Sequence, residues 1–323
     1  MGGSSTDFSS SGDYNFTSTP DVTRKTAADY AKADNRTYTA PKKGLPAPVG
    51  KDVTASSRYN LAVILDQTGS MGEIPRVFID KMSTMYAETN AAIQGIDLKK
   101  LEKGKKLEDK LEVAVVAIGD RRNPTIREQY PLQVLDYCKG TDLVKGVLEI
   151  NPEKLGGGNV KESYDLGAYY LLNHATTPKA QRGIKPLLVI LGDEGFYENT
   201  SASEVKDLIG DDLPNDLNTV DVLKKLRDKF DTYVLRPEIS NYEPEQYANV
   251  HRSWEEIFGS ERVLKMDSYE RVVDVMIGIC GYASNNFKVS EDLLRRRQTP
   301  AQVDQVLEIL HPLLSSGKKK QKR

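Results

Sequence analysis

The chain has 323 residues, of which 38% are hydrophobic, with 45 Lys+Arg against 47 Asp+Glu and a formal net charge of −2. That near-neutrality joins unlike parts: residues 1–57 carry +1, residues 291–323 carry +4, and residues 58–290 carry −7. An acidic middle argues against a broad nucleic-acid face, and two isolated cysteines, Cys138 and Cys280, argue against a disulfide framework or a zinc site.

The longest apolar runs fall far short of the roughly 20 residues a membrane span needs. No apolar stretch follows Met1 as a secretory signal would require. A cytoplasmic protein is therefore expected. The basic end Lys318-Lys319-Lys320-Gln321-Lys322-Arg323 leaves a nuclear address or an anionic contact, nucleic acid included, open for the tail alone.

In chain order, residues 1–57 are rich in Ser, Thr, Gly and Pro, and their apolar residues follow no period. Such a segment buries too little to offset its ordering entropy and is expected to be a disordered leader. From Tyr59 the pattern changes. Apolar runs at 59–65, 111–118, 132–135, 186–191, 232–235 and 262–265 read as strands.

Helical spacing covers the stretch from Phe78 to Ile93, then 142–150, 162–174, 205–209, 220–230, 245–258 and 269–279. Strands that alternate with helices and are apolar throughout predict an α/β fold. Its central sheet is mostly parallel and has helices on both faces. Residues 58–283 form this body, and 284–323 read as a helical C-terminal extension with a basic tail. The Arg295–Arg297 run reads as a solvated helix face, and His174 as a favourable charge at a helix end.

In an open parallel sheet, ligands sit beyond the carboxyl ends of the strands. Two of the strongest strands end there in an acid: one runs into Asp66-Gln67-Thr68-Gly69-Ser70-Met71, the other into Gly192-Asp193-Glu194-Gly195. A third turn, Leu155-Gly156-Gly157-Gly158-Asn159, precedes a helix. Together these loops offer carboxylates, hydroxyls and an amide, an all-oxygen set suited to a hard divalent cation. Asp66, Thr68 and Ser70 alternate along one turn and can converge on one point. Neutral hydroxyl ligands would leave such an ion electrophilic.

These segments resemble the metal-ion-dependent adhesion site of von Willebrand factor type A (vWA) domains, whose first motif is Asp-x-Ser-x-Ser. The Thr68 variant, Ala117-Ile118-Gly119-Asp120 and the Gly156–Asn159 loop resemble most the vWA domains attached to alpha-kinases. The resemblance spans residues 58–283 and implies a three-layer, Rossmann-like vWA fold. It implies a Mg2+ site (Mn2+ or Ca2+ in some members) held by Asp66, Thr68, Ser70, Asn159 and Asp193. The family's Thr ligand falls on Gly158 or Asn159, of which only Asn159 has a side-chain oxygen, and Glu194 adds an acid beside Asp193.

By resemblance the protein is a non-enzymatic, metal-dependent protein-binding module within an intracellular assembly. Its partner presents an acidic residue, and an AAA+ ATPase or another assembly subunit is among the candidates. A second likeness is to the haloacid dehalogenase superfamily, with Asp66 as the nucleophile of a Mg2+-dependent phosphatase. Against it, Thr68 stands where soluble members carry a second Asp, and Gln67 where pumps carry Lys.

Overall fold

The computed structural model describes residues 45, 48–97, 107–122, 130–151, 160–178, 185–238 and 243–320. Six strands form the main sheet: β1 (Tyr59–Asp66), β2 (Leu111–Ile118), β3 (Leu132–Cys138), β4 (Leu187–Leu191), β5 (Asp231–Pro237) and β6 (Val263–Met266). Their spatial order is β6-β5-β4-β1-β2-β3. All neighbours are parallel except β2 and β3, whose antiparallel pairing puts β3 on the edge, half-exposed from Leu135 onward. The expectation of a mostly parallel sheet holds, and the reversal at β3 carries no mark in a short apolar run.

Each central strand is apolar on both sides because each side meets a helical layer. Leu61, Val63 and Leu65 of β1 point into one core with Val113, Val115, Val189 and Leu191. Ala62 and Ile64 point into the other with Val116, Leu188 and Ile190. The first core is closed by α1 (Ile74–Asp80), α2 (Met82–Gln94), α3 (Gly140–Val147) and α8 (Val272–Ala283). The second is closed by α4 (Tyr164–His174), α5 (Ala202–Leu208), α6 (Thr219–Lys229) and α7 (Pro244–Phe258). This is a three-layer α/β architecture with the strand order of doubly wound folds.

Two further helices, α9 (Phe287–Arg297) and α10 (Pro300–Lys320), pack into the first core through Leu294, Val303, Val306, Leu310 and Leu313. Gly278 of α8 makes room for α10, because a Cβ there would lie 2.4 Å from Leu310 Cδ1. Arg297 is not solvated as its run of three arginines suggested. It reaches inward to Glu88 of α2 (2.9 and 3.0 Å) and Asp274 of α8 (2.6 Å). Those carboxylates are 1% and 0% exposed, and their charges and hydrogen bonds keep the guanidinium protonated against its burial.

The leader also needs correction at its end. Residues 48–57 are folded against the body: Val53–Thr54 pairs in parallel with Ala175–Thr176, and Val53 and Ala55 are buried. The Ser56 and Ser57 amides both donate to Glu112 at the start of β2 (2.7 and 2.8 Å). Composition averages over 57 residues and hides ten that find partners. Residues 1–44 lie outside the described residues.

Candidate metal centre

The strand order reverses at β1, so the crevice of a doubly wound sheet opens beyond the carboxyl ends of β1 and β4. These strands pair directly, with Leu65 opposite Leu191, which brings Asp66 and the Gly192-Asp193 turn side by side. Gln67 N still donates to Ile118 O of β2 (2.9 Å), so the chain leaves the sheet only after Asp66 is placed. Asp66 Oδ1 then accepts from the Thr68 amide (2.8 Å) and the Thr68 hydroxyl (2.6 Å), closing an Asx-type turn. A single 3₁₀ turn, Gly69–Met71, follows and presents Ser70.

The hydroxyls of Thr68 and Ser70 lie 3.1 Å apart, and Ser70 Oγ donates to Asp193 Oδ1 (3.2 Å). Four of the five residues expected at the site are thus joined in one hydrogen-bonded chain, Asp66–Thr68–Ser70–Asp193. Asn159 lies outside the described residues. Its neighbour Val160 is held at the site, where its carbonyl accepts from Gly195 N (3.0 Å). Among the described residues no group of three or more His, Cys, Asp or Glu forms a metal-ligand cluster. The set assembled here has two carboxylates, Asp66 and Asp193, with hydroxyls between them.

The Asp193 turn is pinned from behind. Arg236 of β5 donates through Nη2 to Asp193 O, and Trp254 Nε1 of α7 donates to Glu194 O (2.9 Å). Asp193 Oδ2 is buried and accepts no hydrogen bond. Burial pushes the Asp193 carboxyl well above the usual carboxylate range, and the negative charges of Asp66 and Glu194 push the same way. Burial also raises Asp66, against the bonds from Thr68 and Tyr164 that favour its charge. Two carboxylates held together in a dry site, one with an orphaned oxygen, repel each other, and a proton or a cation between them would relieve that repulsion.

Sequence reasoning missed Tyr164. The first residue of α4, it is 0% exposed and donates its hydroxyl to Asp66 Oδ2 at 2.5 Å. Its ring stands edge-on to Trp254, 5.3 Å between centroids. Gly192 exists for it: a Cβ at that position would lie 1.7 Å from the Tyr164 hydroxyl oxygen. The readable signal was a glycine before the late acid together with a tyrosine just after the glycine-rich loop. Asp120, two residues past the end of β2, is fully buried and accepts from Tyr197 OH (2.6 Å) and Arg122 N (3.0 Å), which shapes the neighbouring loop. Tyr247 of α7 is buried beneath Arg236, whose guanidinium carbon lies 4.4 Å from the ring centroid.

No protein-family profile and no curated protein matches the chain. Solved structures do. The pilus adhesin SpaC from Lactobacillus rhamnosus GG is similar at 12% identity and a TM-score of 0.43, covering 74% of this chain and 32% of the adhesin. A von Willebrand factor type A protein from Catenulispora acidiphila is similar at 16% identity and a TM-score of 0.35, covering 74% of this chain and 47% of that one. A variant of the PilB minor pilin from Streptococcus sanguinis is similar at 12% identity and a TM-score of 0.39, covering 73% of this chain and 64% of the pilin. The chain therefore spans between about a third and two thirds of these proteins' own lengths.

Proposed function

We propose that this chain carries a vWA-type interaction domain in which Asp66, Thr68, Ser70 and Asp193 bind a divalent cation, with Asn159 as a further oxygen donor. The observation that supports this most is the run Asp66–Thr68–Ser70–Asp193 across the β1/β4 crevice, ending in a buried carboxylate oxygen with no partner. The donor chemistry suits Mg2+, with Mn2+ or Ca2+ as alternatives. The bound ion would offset the repulsion between the two acids and present a positive point on an acidic body. The ligand that complements it is an acidic side chain of a protein partner. A place within an intracellular assembly, with an AAA+ ATPase or another subunit as partner, completes the reading.

The phosphatase reading is disfavoured by the same geometry. A nucleophilic carboxylate needs a free oxygen facing substrate, whereas a carboxylate engaged at both oxygens can still hold a cation through water. Asp66 is 0% exposed, with Oδ1 taken by Thr68 and Oδ2 by Tyr164.

The deciding experiment titrates EDTA-stripped protein with MgCl2 by calorimetry, comparing wild type, Asp66→Ala and Ser70→Ala. Binding in wild type with a loss of about tenfold or more in the variants is expected. A wild type that gives no saturable heat with Mg2+, Mn2+ or Ca2+ would sink the proposal. A pull-down in Mg2+ against EDTA, with Asp66→Ala as control, then reports the partner.

A further inference from the structure

We propose that Tyr164 is a positioning residue that sets which cation the site accepts, by occupying the Asp66 oxygen that a larger ion would need. The inference rests on the cation-binding reading above and extends it to selectivity. Asp66 Oδ1 already accepts two hydrogen bonds from Thr68, at 2.8 and 2.6 Å, and Oδ2 accepts the Tyr164 hydroxyl at 2.5 Å. A carboxylate engaged at both oxygens cannot clasp a cation with both. It can offer one remaining lone pair or hold the ion through water. Mg2+ accepts that arrangement, because it keeps several waters and takes carboxylates one oxygen at a time in a small octahedron. Ca2+ gathers six to eight oxygens and commonly takes carboxylates through both oxygens.

The tyrosine cannot swing aside to admit that second mode. Its side chain is fully buried, its ring is braced edge-on by Trp254 at 5.3 Å, and its hydroxyl fills the space left by the missing side chain of Gly192. The rest of the set adds little charge, since Thr68 and Ser70 contribute neutral hydroxyls and Asp193 is the second acid. With Asp66 restricted to one oxygen, Ca2+ would have to draw more of its six to eight oxygens from water.

The test uses the full chain, stripped with EDTA and titrated separately with MgCl2 and CaCl2. Wild type is compared with Tyr164→Phe and with Tyr170→Phe, a buried tyrosine of the same helix whose hydroxyl donates to Lys51 O (3.0 Å), far from Asp66. Tyr164→Phe is expected to shift the ratio of Ca2+ to Mg2+ affinity toward Ca2+ by about tenfold, the lower end of what an outer partner of a metal ligand contributes. Tyr170→Phe is expected to keep the wild-type ratio while losing comparable thermal stability. Tyr164→Met also removes the hydroxyl, without a clash against Gly192, and is expected to move the ratio the same way. It serves in place of Tyr164→Phe should that variant fail to fold. An unchanged ratio in Tyr164→Phe, or an equal shift in Tyr170→Phe, overturns the selectivity role and leaves the cation site standing. A wild type that binds neither ion overturns the site itself.

Discussion

Replacing Arg297 with Met tests whether the C-terminal helices belong to the body or merely follow it. The substitution keeps an unbranched chain of similar length and deletes the guanidinium that joins Glu88 and Asp274. Asp274 keeps Gln298 at 2.9 Å and Arg271 at 3.4 Å, so most of the loss falls on Glu88, which is 1% exposed. Breaking a buried pair from one side costs about 3–5 kcal/mol. Glu88 can limit its share by taking up a proton, which from an ordinary glutamate costs about 3.7 kcal/mol at pH 7. A loss of about 3–4 kcal/mol is therefore expected, measured as the shift in urea-unfolding free energy.

The pH dependence is a second reading of the same variant. Burial already raises the Glu88 carboxyl, with Arg297 opposing it, so removing Arg297 raises it further. A carboxyl whose folded-state pKa lies above its unfolded one destabilises the fold above the unfolded value, and this effect fades as the pH falls toward it. The deficit of Arg297→Met should thus shrink between pH 7 and about pH 4.3, and adding Glu88→Gln should recover much of it at pH 7. A loss below about 1 kcal/mol, the range of exposed ion pairs, or a deficit independent of pH would refute the reasoning.

Further expectations concern the site and its surroundings. In EDTA, Asp193→Asn should unfold at higher urea than wild type, by about 1–3 kcal/mol, because it removes a buried like charge; saturating Mg2+ should stabilise wild type and leave the variant unmoved. His251, 8% exposed, is depressed to about 4 by burial and by the charges of Arg236 and Lys265. Its unfolded form takes a proton that the folded form refuses, so stability should fall as pH drops from 6.5 toward 4. His251→Gln should flatten that limb of a melting-temperature profile, and an identical acid limb in both proteins would count against this account.

What the sequence revealed depended on how local each signal was. The apolar runs ending in Asp66 and in Gly192-Asp193 are strand and turn within a few residues, and the sheet order then places them together because parallel strands all present their carboxyl ends on one edge. Tyr164 was hidden because a buried tyrosine in an apolar helix looks like core; only its approach to Asp66, 98 positions away, makes it polar machinery. Arg297 misled for the converse reason. Its neighbours Arg295 and Arg296 bond acids at the surface, and nothing local separates the third arginine from them. The antiparallel β3 was invisible because strand direction leaves no trace in seven residues of composition.

The pairing of Val53–Thr54 with Ala175–Thr176 has a consequence for how the protein is held. Those residues lie just past the C-terminal end of α4, while Tyr164 at its other end touches Asp66. Eleven helical residues separate the two points by about 16 Å. Val53–Thr54 is thus anchored at the end of α4 away from the crevice. A partner of the kind proposed, seated over Asp66 and Asp193, would leave that pairing undisturbed at the other end of α4.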